Sequence, residues 1–558
     1  MPVWTPGSYL VREYSRHVQS LRAESATGPV GVRKVSKNRW AIAHGGADRL
    51  TIDYEVYAHD LTVRTNHVSD SHAYWNGAAT YVRPVEADGS WDRLPVEVRV
   101  VRPHALWSVA TSLEPVVPAP DGAPSDVSVF RARDFDDLVD CPIDVGRHER
   151  LEFTVRDKPH AIVLWGARAR FDRERLVRDV RAIVEAEAEF FGGLPYDHYL
   201  FLMHLAKGGR GGLEHCTSCS LLVSPESIET PEGYDDVLSL FAHEFFHLWQ
   251  IKRTKPEGLV PFDYGRENYT RMLWLFEGGT SYYDWLLIRR AGLVDARSYL
   301  KHLASEIARL EETPGREVQS LEDASFDAWI KLYRPDENSS NSTVSYYLKG
   351  EVVCALLDLE IRVRSKGARS LDDVLRHLWR EYGSTGRGVP ESSIEAVIAA
   401  ATDVDVADLI DTLVRSTSAL PYDRVFAHAG LSMRARPGRG TALGVRLRND
   451  NGRVMIASVL RGSAAERGGL AAGDEIIAVD GRRVDESSLR EQLKHREPEE
   501  KIDVMYSRRD EIGSTTLALA ASPPDGYEFT ANVDASAAAR SLAGEWLGTG
   551  AEALWSAR

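Results

Sequence analysis

Apolar and polar residues alternate along the first part of the chain. Leu50-Thr51-Ile52-Asp53-Tyr54-Glu55-Val56-Tyr57 and Val96-Glu97-Val98-Arg99-Val100-Val101 change face at each step, and Trp40-Ala41-Ile42-Ala43 adds a shorter run between turn clusters. A period of two belongs to half-buried strands. Residues 1–157 are therefore predicted to form a β-rich, sandwich-like domain. From 158 to 425 the dominant spacing becomes helical, with Phe171 to Phe191 a charged amphipathic run and 194–224 strand-like around a glycine-rich segment. Short strands return over 428–522, and the Ala-rich tail 523–558 reads as a terminal helix without an assigned function. The 558 residues are too many for one core, and a 43% hydrophobic content supports several.

Within the helical part, His243-Glu244-Phe245-Phe246-His247 carries the chemistry. Two histidines four apart share a helix face, about one turn (~5.4 Å) apart, and so can bind one metal ion. Zinc lowers the pKa of its water toward ~7, and a neighbouring carboxylate, Glu244, can take that proton and pass it to a leaving amine. The flanks 235–242 and 248–251 hold no Pro or Gly, so the motif is predicted to sit inside a helix. A catalytic zinc commonly takes three protein ligands. Glu277, alone among Trp274, Leu275 and Phe276 in a second apolar helical run over 268–283, is the candidate third, because a buried carboxylate needs a cation or donors. Glu267 and Asp284 are the alternatives.

The order H-E-F-F-H-L-W at 243–249, K-R-T-K-P at 252–256, E-N-Y-T-R at 267–271 and W-L-F-E-G-G-T-S-Y-Y at 274–283 resembles the glycyl aminopeptidase family, PDZ-bearing zinc metallopeptidases of the thermolysin-like superfamily (gluzincins). The resemblance implies a thermolysin-like, mainly helical catalytic domain with His243, His247 and Glu277 as ligands of one Zn2+ per chain. Gly208-Gly209-Arg210-Gly211-Gly212-Leu213-Glu214-His215 is a glycine-rich run whose backbone, at Gly211 and Gly212, can approach a substrate chain as an edge strand does. By resemblance Glu214 binds the substrate's free α-ammonium. His215 reads as a strand histidine. Tyr347, in Ser345-Tyr346-Tyr347-Leu348-Lys349-Gly350, is implied as the oxyanion donor, with Tyr346 beside it leaving the register open. The stretch 334–342 reads as an exposed loop before it. Pro2-Val3-Trp4-Thr5-Pro6-Gly7-Ser8-Tyr9 is similar to an element before which family members carry more chain, so a start upstream of Met1 is expected.

Residues 428–522 are similar to a PDZ domain, with Leu443-Gly444-Val445 as the loop that would bind a C-terminal carboxylate. The fold class expected is thus multidomain α+β. A formal charge of −15, spread along the chain, argues against nucleic acid as a partner. The start shows no signal-peptide pattern, and no run of 18 apolar residues occurs, so no membrane partner is expected. Four cysteines are too few for a disulfide framework, which makes the cytoplasm the expected compartment; the C-x-x-C pair Cys216/Cys219 lacks a second pair to complete a zinc cluster. The leading expectation is a zinc aminopeptidase acting on peptides with a free N-terminus, with glycine and alanine preferred by family resemblance. The alternatives are a zinc endopeptidase or carboxy-end-recruiting protease, and a PDZ-centred peptide-binding protein with an inactive peptidase fold.

Overall fold

Strands form where the alternation places them. In the computed structural model, which describes residues 1–85, 90–117 and 124–556, the start of the chain builds the hairpin Val32–Ser36/Arg39–Ile42 and three larger antiparallel sheets. Val18–Ser25 lies between Gly28–Val30 and Leu50–Val56; Val127–Ala132 lies between Glu114–Pro115 and Val96–Val101; and His72–Trp75 and Ile143–Gly146 pair inside a sheet edged by His67–Val68 and Ser108–Ala110. Tyr14, Trp107, Leu113, Phe135, Leu138 and Ile143 form their shared core, which Tyr264 joins from far along the chain. The stretch is a β-rich domain, as the alternation implied.

A five-stranded sheet follows, in the order Glu149–Val155, Lys158–Gly166, Tyr199–Leu205, Ser218–Val223, Arg210–Glu214. Its three inner strands run parallel and its two outer ones antiparallel. Each residue of Tyr199–Leu205 is buried, as an inner strand covered on both faces requires. The expected boundary between 157 and 158 falls in the turn of the hairpin formed by the first two strands, so both halves of that hairpin lie in one sheet. Helix Arg173–Phe191 makes the crossover. Asp172 caps its start by accepting from the Arg175 N–H at 2.9 Å, and Gly192, at φ 83°, ends it in the left-handed conformation. Tyr74 and Ala110 pack against Ala161, Val163, Leu200 and Leu202, so the N-terminal four-stranded sheet and this one share a core.

Two units divide the chain: Met1–Thr270 with Tyr283–Leu293 and Leu375–Glu391, and Arg271–Tyr282 with Val294–Val374 and Ser392–Arg558. The second holds helices Ala296–Glu311 and Tyr346–Arg364, the latter buried along most of its length. The carboxylates this helix buries are met: Asp358 accepts from Tyr282 Oη at 2.7 Å and pairs with Arg362 at 3.1 Å, and Glu351 pairs with His302 at 2.9 Å. The same unit holds a PDZ domain, with strands Val445–Asp450, Arg453–Val459, Glu475–Val479, Lys501–Arg508 and Glu511–Ala518, helix Glu486–Lys494 and its own core of Val454, Ile456, Ile476, Val504 and Leu517. Outside it, Leu431–Ala435 pairs with Tyr527–Ala531. No helix among the described residues is long and apolar enough to cross a membrane.

The tail forms the expected helix, Ala537–Leu547, and residues 557 and 558 lie outside the described residues. Its Trp546 is fully buried, donates from Nε1 to Tyr282 Oη at 2.9 Å and meets the Tyr299 ring edge-on. The tail is thereby part of the core around Tyr282 and Tyr299. Trp546→Ala is expected to cost about 3–5 kcal/mol, as large-to-small changes at buried aromatic positions do; a urea midpoint equal to wild type would contradict this packing role.

Candidate active site

The helix bearing the histidines runs Pro231–Phe246. Thr230 Oγ1 accepts from the Gly233 N–H at 3.2 Å, Pro231 opens the first turn and Glu232 meets the positive end of the dipole. Residues 248–251 are not helical, contrary to the sequence pattern. His247 is the last capping residue, and Ile251, a β-branched residue at φ 69°, turns the chain away. The turn is held from outside the helix: the Arg253 guanidinium donates to the carbonyls of Leu248 at 2.9 Å, Cys216 at 3.0 Å and Pro195 at 3.1 Å.

His243 Nε2 and His247 Nε2 are 3.1 Å apart, and the rings stand at 86°. His243 Nδ1 is 3.0 Å from Asp284 Oδ2. A ring that gives its Nδ1 proton to a carboxylate presents the Nε2 lone pair, and this partner also makes the nitrogen a better ligand. Asp284, weighed from sequence as a ligand, instead orients His243. Glu187 is buried nearby; burial, reinforced by the charge of Asp284, pushes its pKa well above the carboxylate range. Sequence reading missed Glu187 and the role of Asp284, although Asp284 stands two helical turns beyond Glu277.

Gly212 explains how Glu244 fits. A Cβ on Gly212 would overlap the Glu244 carboxyl group, so only glycine lets the strand come this close. Arg64 Nη2 donates to the Gly212 carbonyl at 3.1 Å, and Gly211 sits at φ 146°. Their strand, Arg210–Glu214, is the edge of the five-stranded sheet. Glu214 is 3% exposed and lies against Gly7 of the N-terminal loop, whose φ of 82° and contact with this carboxylate both require glycine. His215 is held by Asp140 at 3.2 Å; Asp140 also accepts from the Cys216 N–H at 2.8 Å and pairs with buried Lys252 at 2.6 Å. Burial would raise Asp140, but Lys252 and His215 overcome it and hold the carboxyl well below its usual range. Burial pushes the Cys216 thiol up to about 11 and lifts Cys219 well above the ordinary range, which keeps both as thiols rather than reactive thiolates.

Glu277 does not lie inside one long helix. It occupies the break between Leu273–Phe276 and Gly278–Arg290, with residues 268–272 non-helical, and is 1% exposed. One ligand atom from each of His243, His247 and Glu277 lies within 4.8 Å of the other two, a grouping that could hold a metal ion. Glu267 is not part of it. Behind Glu277, Gly278 meets Gly350: a Cβ on Gly350 would come within 2.9 Å of the Gly278 Cα. This contact brings the segment after Glu277 against the helix whose first turn carries Tyr347. Ser345 caps that helix, accepting from the Leu348 N–H at 3.3 Å. Tyr347 Oη is 3.2 Å from Tyr333 Oη, and burial, with the charge of Glu277 next, pushes the phenol pKa well above its usual value. Tyr346 is fully buried, its ring stacked 4.6 Å from that of Tyr347. The loop expected over 334–342 contains a helical turn, Ser339–Ser342.

In the PDZ domain, Val445–Asp450 ends its sheet and pairs on one side with Arg453–Val459. Gly444 takes φ 75°. The Leu443 and Gly444 carbonyls accept from the N–H groups of Ala465 at 2.9 Å and Leu460 at 2.8 Å, which fixes the loop's shape.

A β-rich domain, a mainly helical domain centred on the His243–His247 helix and a PDZ domain together define a multidomain peptidase. The chain belongs to the M61 glycyl aminopeptidase family: that family's model matches residues 236–353, the model of the peptidase M61 N-terminal domain matches 1–147, and a PDZ domain model matches 441–519. An aminopeptidase N family protein from Idiomarina loihiensis is 30% identical over 98% of this chain and 94% of that one, with a TM-score of 0.91. An M1 zinc metallopeptidase from Deinococcus radiodurans is 15% identical over 72% of this chain and 85% of that one, with a TM-score of 0.44. No curated protein matches the chain.

Gly212→Ala tests the approach of strand to carboxylate. Moving Glu244 by the width of a methyl group is expected to lower kcat about 100-fold or more while metal content stays at the wild-type level. Unchanged kcat would show that Glu244 is not held by this strand.

Proposed function

We propose that this peptidase is a zinc-dependent aminopeptidase that removes the first residue from peptides with a free N-terminus, glycine and alanine being the residues favoured by family resemblance. The observation that carries the reading is the placement of Glu214 and Gly212 on one edge strand. Side chains two apart point to the same face, about 7 Å apart along the strand. The Glu214 carboxylate therefore stands one dipeptide step from the point where the strand abuts Glu244. An ammonium bound at Glu214 leaves the first peptide bond beside the general base, and Gly7 walls the far side of that carboxylate.

His243, His247 and Glu277 suit zinc, since two imidazoles and a carboxylate are a common catalytic donor set and the convergence of the two Nε2 atoms is relieved by a cation. Bound there, zinc would supply Lewis-acid polarisation and acidify water. Glu244 accepts the proton of the attacking water and returns it to the leaving amine. Tyr347, whose phenol is kept protonated, donates to the oxyanion of the first residue's carbonyl. Its partly exposed position suits this better than that of Tyr346, which is enclosed in the core. Asp284 keeps His243 in the metal-binding tautomer.

A second role is supported at the PDZ domain. Leu443 and Gly444 have no backbone N–H donation among the described residues, and the adjoining strand edge can accept an extended chain. Leu443, Gly444 and Val445 would bind a C-terminal carboxylate and recruit a peptide by strand addition.

Hydrolysis of glycyl-, alanyl- and leucyl-p-nitroanilide is to be measured beside the N-acetylated forms, with chelator and after zinc is restored. Chelator-sensitive release from free-amine substrates alone is expected. Cleavage of the acetylated forms would indicate an endopeptidase, and no release from any substrate would favour a binding protein. Glu244→Gln is expected to abolish turnover with zinc retained, and Tyr347→Phe to lower kcat by about 100-fold or more, the loss of one oxyanion donor. Glu214→Gln is expected to raise KM for free-amine substrates; an unchanged KM would remove Glu214 from amine binding.

A further inference from the structure

Away from the peptidase residues, three imidazoles converge on one buried carboxylate. Asp144 Oδ1 is 2.8 Å from His72 Nε2 and also takes His148 Nε2, and Asp144 Oδ2 is 2.5 Å from His204 Nε2. None of the four side chains is more than 2% exposed. One ligand atom from each of His72, Asp144 and His204 lies within 4.8 Å of the other two.

Strand position explains the convergence. His72 and Asp144 sit on paired strands of the N-terminal four-stranded sheet, where Gly146 faces His72 and Asp144 faces Tyr74. His204 sits on Tyr199–Leu205 of the five-stranded sheet. The cluster thus joins the two sheets beside their shared apolar core. Its rings are fixed: Trp165 stacks on His72 at 3.7 Å and 13°, and His148 Nδ1 is 3.2 Å from Ser108 Oγ.

Hydrogen bonds alone balance this arrangement poorly. Nδ1 of His72 and Nδ1 of His204 are buried without a hydrogen-bond partner among the described residues. Two imidazoles are therefore withdrawn from water to meet a single carboxylate, with half of each ring's polar capacity unmet. A cation would not reach those Nδ1 atoms; what it would take up is the other side of the rings, where three Nε2 atoms converge on the one carboxylate. Imidazole nitrogens with one carboxylate suit zinc and its transition-metal neighbours, whereas calcium and magnesium take oxygen donors.

We propose that His72, Asp144 and His204, with His148 on the same carboxylate, form a second metal site for a zinc-class divalent ion, which staples the N-terminal sheet to the five-stranded sheet. No substrate reaches it and it takes no part in peptide hydrolysis.

The test uses the full chain and zinc chloride alone. Wild type and His243→Ala/His247→Ala are equilibrated with zinc, freed of excess by gel filtration and analysed by mass spectrometry for metal. About two zinc ions per chain are expected in wild type and about one in the double variant, structural sites of this kind holding their metal through gel filtration. Adding His204→Gln should remove the remaining ion. A double variant without zinc, or a triple variant that keeps it, overturns the proposal. Should the triple variant not fold, the double variant loaded with Co2+ decides: intense visible d–d absorption of a four-coordinate ion supports the site, and the weak spectrum of a six-coordinate ion overturns it.

Discussion

Close backbone approach at glycine is the constraint on which the peptidase region rests. Gly212 admits the Glu244 carboxylate, Gly7 admits that of Glu214, and Gly278 and Gly350 admit each other. The first two contacts each place a residue assigned a chemical role next to a backbone with no side chain of its own. A methyl group at any of the four would meet atoms that have little freedom to move, because the carboxylates are buried and the helices are packed along their length. The spacing of strand, helix and carboxylates is therefore set by absent atoms as much as by present ones.

The second requirement is electrostatic. Peptide chemistry needs carboxylates in a dry place, and a dry carboxylate must be met by charge or donors. Around the His243–His247 helix this is done by residues with no chemical task. Lys252 meets Asp140, which anchors His215 and the Cys216 N–H; Arg253 closes the carbonyls at the helix end. The K-R-T-K-P segment following the histidines is thus a structural clamp. Lys252 is itself pushed up by Asp140, against the downward pull of burial, so it stays charged throughout the range in which peptidases work.

Legibility in the sequence followed the range of the forces involved. Helix periodicity was readable, since the amphipathic run from Phe171 to Phe191 is local and falls on helix Arg173–Phe191. The end of the histidine helix was not: residues 248–251 are good helix formers, and what stops them is Arg253 reaching carbonyls as distant as Pro195. Glu277 stood out as a carboxylate in an apolar run, yet its place at a helix break depends on the Gly278–Gly350 contact, which links segments more than seventy residues apart. The cluster at Asp144 left no sequence trace, because its four residues come from separate strands and loops whose pairing no local pattern encodes.

The PDZ domain and the tail behave differently under this logic. Trp546 is buried against Tyr282 and Tyr299, so a truncation that removes the tail would also open the core around those two residues. Loss of activity in such a truncation would say nothing about peptide recruitment. A narrower connection exists at Asn341, whose Nδ2 donates to the Val459 carbonyl at 2.8 Å and whose Oδ1 accepts from the Arg461 N–H at 2.9 Å. Val459 pairs with Val445, and the Leu460 N–H donates to the Gly444 carbonyl. The loop at Leu443 and Gly444 is thereby tied through two layers of backbone bonds to the helical turn that precedes Tyr347. Because Asn341 is partly exposed and lies on a short turn, its side chain can be shortened without disturbing either core, which makes it the position where a recruiting module and a fixed spacer become distinguishable.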